Sequence, residues 1–205
     1  PGWMIDPVQS DFQKNNAPSG WGWLVQVMPF MEQGSLYDSL GVIKWKLVEV
    51  ANSNDLDYIE PTELRASLRT VIPGFVCPSD NVRPINQSRR LSCAGDIEND
   101  SANLRVAAAN YVCCRGFFDR SGNNSANNNG AMYGNSKVRF RDVQDGLSNA
   151  FMAGERSDFH SAANWAGPGG LGAGTNVTSD VQWSLNHPTR NDVFSSRHSG
   201  GAQFV

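Results

Sequence analysis

The chain reads as an α+β protein, with a short helical front followed by antiparallel strands on long loops. Three observations carry that reading. Apolar residues recur at helical spacing between Trp21 and Leu40. The later apolar runs are short and either β-branched or alternating, as strands are. Gly, Asn and Ser supply 61 of the 205 residues, which is turn and loop chemistry. A charged fraction of 18% excludes a coiled coil or helical bundle, which draws on Ala, Glu, Lys and Leu in bulk. Six Trp, ten Phe and four Tyr are core material and exclude a disordered chain.

The front helix follows from Trp21, Leu24, Val25 and Met28, spaced i, i+3, i+4, i+7. Pro29 interrupts it. Leu36, Tyr37 and Leu40 then predict a second short helix, capped by Ser35 and ended by Gly41. Residues 42–50 are β-branched and aromatic and predict a strand. Residues 60–68 open with Pro and acidic residues, so a helix is predicted there. Residues 71–80 predict a short strand closed by the Pro78-Ser79-Asp80 turn. Two polar stretches, about 81–103 and 119–135, read as loop insertions in one domain covering 1–205. Val106–Cys114 predicts one buried strand. Lys137–Val143 alternates at strand period, Asp145-Gly146 is a turn, and 149–155 predicts another strand. Phe194–Val205 predicts a turn entering a strand inside the sheet, with Phe194, Ala202 and Phe204 facing inward.

A net charge of −3, with 13 scattered Arg and 4 Lys, leaves no basic stripe and argues against nucleic-acid binding. The longest apolar run, 24–31, is too short to span a bilayer. The apolar end at Val205 and the start at Pro1 read as cuts in a longer chain. Sequons at Asn86, Asn99, Asn123 and Asn176 indicate surface loops. The four cysteines, Cys77, Cys93, Cys113 and Cys114, form no Cys-x-x-Cys pair, so a structural zinc site is not predicted. Disulfides are expected instead, with free buried thiols as the alternative reading. Cys113 and Cys114 point to opposite faces of a strand, so Cys77 and Cys93 each pair with one of them; the alternative is Cys77–Cys93 with a vicinal Cys113–Cys114 bond.

No catalytic residue is expected. Ser195-Ser196 beside His198 reads as a polar turn, without a Gly-x-Ser-x-Gly elbow. His160 and His187 lack a ligand partner at i+3 or i+4. Glu155 and Arg156 are candidates for a buried pair, with Arg197 as a second candidate partner.

Four segments in order resemble a family. They are Gly20–Trp23 running to Pro29–Tyr37; Phe75–Asp80; Val138–Asn149 with Gly154-Glu155-Arg156; and Phe194–Ala202. Together they resemble the domain-of-unknown-function family of prepilin-like proteins abundant in planctomycete bacteria, whose C-terminal signature is His, nine residues, Asp-Gly. The signature His maps to His198, and the Asp-Gly falls beyond Val205. The resemblance implies a pilin/pseudopilin-like head whose N-terminal helix is absent from this chain. It implies a structural subunit of a type IV pilus-like or type II secretion pseudopilus-like assembly, at the cell surface or in the envelope. Partners would be further copies or other pilin-like subunits, and the membrane would be met only through the missing helix. Related pseudopilins hold Ca²⁺ in an acidic loop, which makes Asp142, Asp145 and Asn149 calcium candidates, with Asp119, Asn123 and Asn124 a second group; no other cofactor is implied. The alternative function is a surface-anchored binding module, for glycans, using Trp21, Trp23, Trp165 or Trp183.

Overall fold

The computed structural model describes residues 1, 2, 4, 20–51, 64, 66–92, 103–117, 129–169 and 173–205. It is an α+β fold with two three-stranded sheets behind a helical front.

The front forms as its periodicity requires. Helix α1 (Trp23–Val27) buries Leu24 and Val25, and Met28 follows them into the core. Pro29 cannot donate to a continuing helix, so the chain tightens into a 3₁₀ turn, Met28–Met31, ended by Glu32 at φ 58°. Helix α2 (Gly34–Ser39) follows, with Gln33 and not Ser35 at its N-cap. Gly41 ends this segment at φ +59°. A Cβ there would stand 2.6 Å from the Trp45 ring, so glycine is required on two counts.

The strand predicted over 42–50 does not form. Lys44 and Trp45 both donate their N–H to the Gly41 carbonyl, and the Lys46 N–H donates to Glu49 Oε2 at 2.7 Å, which starts helix α3 (Leu47–Ala51). Leu47, Val48, Val50 and Ala51 are all buried. With four of its five residues buried and Glu49 alone exposed, so short an element carries no readable period, and its apolar run reads equally as strand or helix. Of the helix predicted over 60–68, Leu64, Ala66 and Ser67 are helical, and residues 60–63 and 65 lie outside the described residues.

In place of the strand predicted over 71–80 there is a 3₁₀ turn, Pro73–Phe75, burying Phe75. The polar stretch expected to be a loop contains strand β1 (Ile85–Ser92), antiparallel to β2 (Asn103–Ala109); 93–102 lie outside the described residues. β2 in turn pairs antiparallel with β5 (Ala163–Asn164), completing the first sheet. From Ile85 to Leu91 only Asn86 and Leu91 are buried, so the composition of β1 resembles that of a loop. Asn86 and Asn176, expected on surface loops, are buried and donate to backbone carbonyls. Asn99 and Asn123 lie outside the described residues.

The predicted strand Val106–Cys114 is broken at Asn110 into β2 and β3 (Tyr111–Cys114). β3 pairs antiparallel with β4 (Ala153–Glu155) and parallel with β6 (Thr178–Ser179). The strand predicted over 137–143 is instead a 3₁₀ turn, Phe140–Asp142. Val138 and Phe140 remain exposed, so the alternation marks no buried face. Residues 203–205 pair with β4 on the side away from β3 and are outermost in this sheet among the described residues. The expectation of an interior strand is corrected accordingly: Phe194 is buried, but Ala202 and Phe204 are only half-buried. Gly154 admits the closing ring, since a Cβ there would stand 2.5 Å from Phe204 Cδ1.

A fully buried Arg156 ties the second sheet to the C-terminal loops. Its guanidinium donates to the carbonyls of Val193, Thr175, Thr178 and Asp192 at 2.5–3.2 Å. The expected Glu155–Arg156 pair does not form, because successive strand residues point to opposite faces. Arg197 meets Asp80 instead, at 3.1 Å.

Beside Arg156, Arg190 donates two hydrogen bonds to the Asp192 carboxylate, at 2.9 and 2.5 Å. Burial alone would raise the Asp192 pKa. The Arg190 hydrogen bond and charge, with Arg156 and Arg115 nearby, outweigh it and hold the carboxyl below its ordinary value. A depressed folded pKa stabilises the fold above the unfolded carboxyl's pKa, and that stability is lost as pH falls through the folded value. Arg190→Gln should therefore show its full stability deficit above about pH 4. The deficit should shrink in stronger acid. Urea midpoints across that range check this, and a constant deficit would contradict it.

Candidate functional site

Three segments distant in sequence meet at Cys77, Glu155 and His198. Cys77 follows the Pro73–Phe75 turn, and its N–H donates to the buried Asn110 Oδ1 at 2.9 Å. The Pro-Ser-Asp turn closes behind it, with the Asp80 N–H on the Cys77 carbonyl at 3.1 Å. Glu155 ends β4, and its Oε2 accepts the Gln203 N–H at 3.4 Å. His198 sits in a turn in which its own N–H donates to Ser196 Oγ and its carbonyl accepts the Gly201 N–H. The Asp80–Arg197 ion pair fastens the Cys77 turn to the His198 turn.

His198 Nε2 is 3.3 Å from Cys77 Sγ and 3.2 Å from Glu155 Oε1. Cys77 and Glu155 are buried, while the His198 side chain keeps a third of its surface exposed. Burial pushes the Cys77 thiol up, and its hydrogen bond with Glu155 adds to the rise. Among the described residues, this is the group of three His, Cys, Asp or Glu side chains that converges closely enough to share an ion.

No disulfide forms among the described residues. Cys77, Cys113 and Cys114 are free thiols, and Cys93 lies outside the described residues. Cys113 and Cys114 do point to opposite faces. Cys113 Sγ faces the Met132 and Val177 carbonyls beneath Gly2, and burial raises both thiols. Cys77 is turned away from both, toward His198.

The calcium candidates Asp142, Asp145 and Asn149 are exposed and line a cleft of about 630 Å³. Their polar atoms are engaged locally. Asp142 Oδ2 accepts the Arg139 N–H, and Asn149 Nδ2 donates to the Asp145 carbonyl. Asp119, Asn123 and Asn124 lie outside the described residues. Of the candidate stacking residues, Trp21 and Trp165 are core, their indole N–H groups donating to the Trp45 and Thr70 carbonyls. Neither offers a face to a sugar. Trp23 is half-buried, as is Trp183, which lies edge-on to His187 with Arg190 over its ring. Ser195 Oγ accepts the Ser157 N–H, so the Ser-Ser-Arg-His run is a joint between loops.

No spacing rule connects positions 77, 155 and 198, and the absence of Cys-x-x-Cys pointed away from a metal. The one available signal was that Phe75–Asp80, Gly154–Arg156 and Phe194–Ala202 all belong to the segments that carried the resemblance.

Comparison with curated proteins and with solved structures finds no match. The family described as "Protein of unknown function (DUF1559)" matches residues 1–187, a span that takes in Cys77 and Glu155 and stops short of His198, and the chain belongs to that family.

Proposed function

We propose that this chain is the head of a structural, non-enzymatic subunit in a type IV pilus-like or type II secretion pseudopilus-like assembly at the cell surface or in the envelope. The observation that carries the reading is the ordered set of four segments that resemble the prepilin-like family, three of which serve as joints of the head around Cys77, Glu155 and His198. Gly2 donates to the Tyr133 carbonyl and accepts from the Trp23 N–H, which gives a carrier helix preceding the head a fixed point of departure. No helix among the described residues is long and apolar enough to cross a membrane.

The chemistry at Cys77 favours assembly over catalysis. A nucleophilic cysteine needs a depressed pKa and an imidazole base that meets the thiol through one ring nitrogen and an orienting group through the other. Here the thiol is raised, and thiol and carboxylate crowd the same nitrogen. Under this reading Phe30 and Ile43, 87% and 89% exposed, are the side chains assigned to contacts with neighbouring subunits. Phe30→Asp and Ile43→Asp should each leave head stability within about 0.5 kcal/mol and reduce assembly in cells expressing the complete gene. Electron microscopy with a head-directed antibody, together with fractionation, reads the outcome. A product found only as a free monomer sinks the proposal.

A further inference from the structure

We infer that Cys77, Glu155 and His198 form a binding site for one divalent transition-metal ion, zinc being the best fit, with a water in the fourth position. The site stands whether or not the chain assembles.

The geometry of His198 Nε2 is the first argument. A ring nitrogen carries one proton or one lone pair, directed along one line in the ring plane. Cys77 Sγ at 3.3 Å and Glu155 Oε1 at 3.2 Å both press on it. A hydrogen-bonded relay would use both ring nitrogens, one toward each partner. Convergence on one nitrogen is the arrangement of ligands around a common centre.

The separations are of the right size. Zinc takes thiolate sulfur at ~2.3 Å and imidazole nitrogen or carboxylate oxygen at ~2.0–2.2 Å, tetrahedrally. Those bond lengths put a sulfur–nitrogen edge at about 3.6 Å and a nitrogen–oxygen edge at about 3.4 Å. The observed edges are 3.3 and 3.2 Å, and all three donor atoms lie within 4.8 Å of one another. An ion would spread each of these two edges by a few tenths of an ångström.

The donor set selects the metal class. One soft sulfur, one imidazole and one carboxylate suit zinc, whereas Ca²⁺ and Mg²⁺ require shells of oxygen. The supporting contacts are those a ligand set needs. Asn110 holds the Cys77 backbone, Gln203 occupies Glu155 Oε2 and leaves Oε1 for the ion, and Asp80–Arg197 locks the two turns together. The partly exposed His198 supplies the entry path and the wet fourth position. On binding, the Cys77 proton leaves to solvent and the thiolate takes the ion. The bound ion would then cross-link three segments separated by tens of residues.

The test uses the whole chain without a histidine tag, under a non-thiol reductant, with Co²⁺ and Zn²⁺ as probes. One equivalent of either ion should be retained through dialysis, and Co²⁺ should give a thiolate charge-transfer band with tetrahedral ligand-field bands. Cys77→Ser should abolish the charge-transfer band. His198→Ala, at a partly exposed position, should weaken Zn²⁺ binding by ~100-fold or more, the top of the range for supporting residues alone, with unchanged metal-free circular dichroism. A wild-type chain that retains no ion overturns the inference, as does a charge-transfer band that survives Cys77→Ser. If Cys77→Ser does not fold, undiminished Zn²⁺ affinity in His198→Ala overturns it alone.

Discussion

Arg156→Met is expected to cost about 4 kcal/mol or more of folding stability. Arg156 is fully buried, and its guanidinium donates to four carbonyls drawn from three segments: Thr175, Thr178, and Asp192 with Val193. Burial pulls its basicity well down, Arg89 adds repulsion, and Asp192 partly offsets both. Arg89 itself is lowered to about 10 by burial. The cation persists there because its planar fork matches the carbonyl positions. A thioether of similar length fills the volume but withdraws all four donors. The Asp192 carbonyl keeps Ser179 Oγ as a donor. A buried carbonyl that loses its donor costs ~1–3 kcal/mol, and removing one member of a buried charged network costs ~3–5 kcal/mol. For a domain of this size that lowers the melting temperature by about 8–16 °C. Arg156→Lys should recover little, since one ammonium cannot reach carbonyls spread around a planar fork. A urea titration showing a loss below about 1 kcal/mol for Arg156→Met would sink this account.

Trp165→Ala is expected to destabilise the fold by about 3–5 kcal/mol, the range for a buried large aromatic cut to a methyl. The ring is fully buried in the cluster that includes Trp21, Leu47, Leu68 and Ala166. Its N–H spans to the Thr70 carbonyl at 3.1 Å, closing the gap between the β5 end and the turn before Pro73. Trp165→Phe separates the two contributions. It keeps most of the apolar area and should lose only about 1–2 kcal/mol, the share of the hydrogen bond and the smaller ring. Were Trp165 a sugar platform, the Ala variant would lose binding and keep its stability. Paired denaturation and glycan-affinity measurements distinguish the two.

Elements whose signal is local were legible in the sequence. The period of Trp21, Leu24, Val25 and Met28 describes the buried face of α1, and Pro29 marks where that helix tightens. Gly41 ends the second helical segment. The alternation rule placed Cys113 and Cys114 on opposite faces. Residues 85–92 of the polar stretch, by contrast, form a strand because β2 pairs with them, a contact no local composition encodes. Residues 47–51 are helical because the core closes over Leu47, Val48, Val50 and Ala51 and leaves Glu49 to solvent. Alternation over 137–143 fails because no strand among the described residues pairs with it.

The sequence by itself determined the α+β class, the helical front and the family, since those rest on residue periods and on motifs in order along the chain. Only the tertiary structure decided that Asn110 breaks a strand and serves both halves, that Arg156 binds carbonyls and not Glu155, and that Cys77 meets His198 and not another cysteine. Those outcomes depend on which groups remain to be satisfied once the core has closed. A buried N–H, carbonyl or thiol takes whatever partner the packed chain brings within about 3 Å, and that partner is fixed by loops whose paths no residue pattern records.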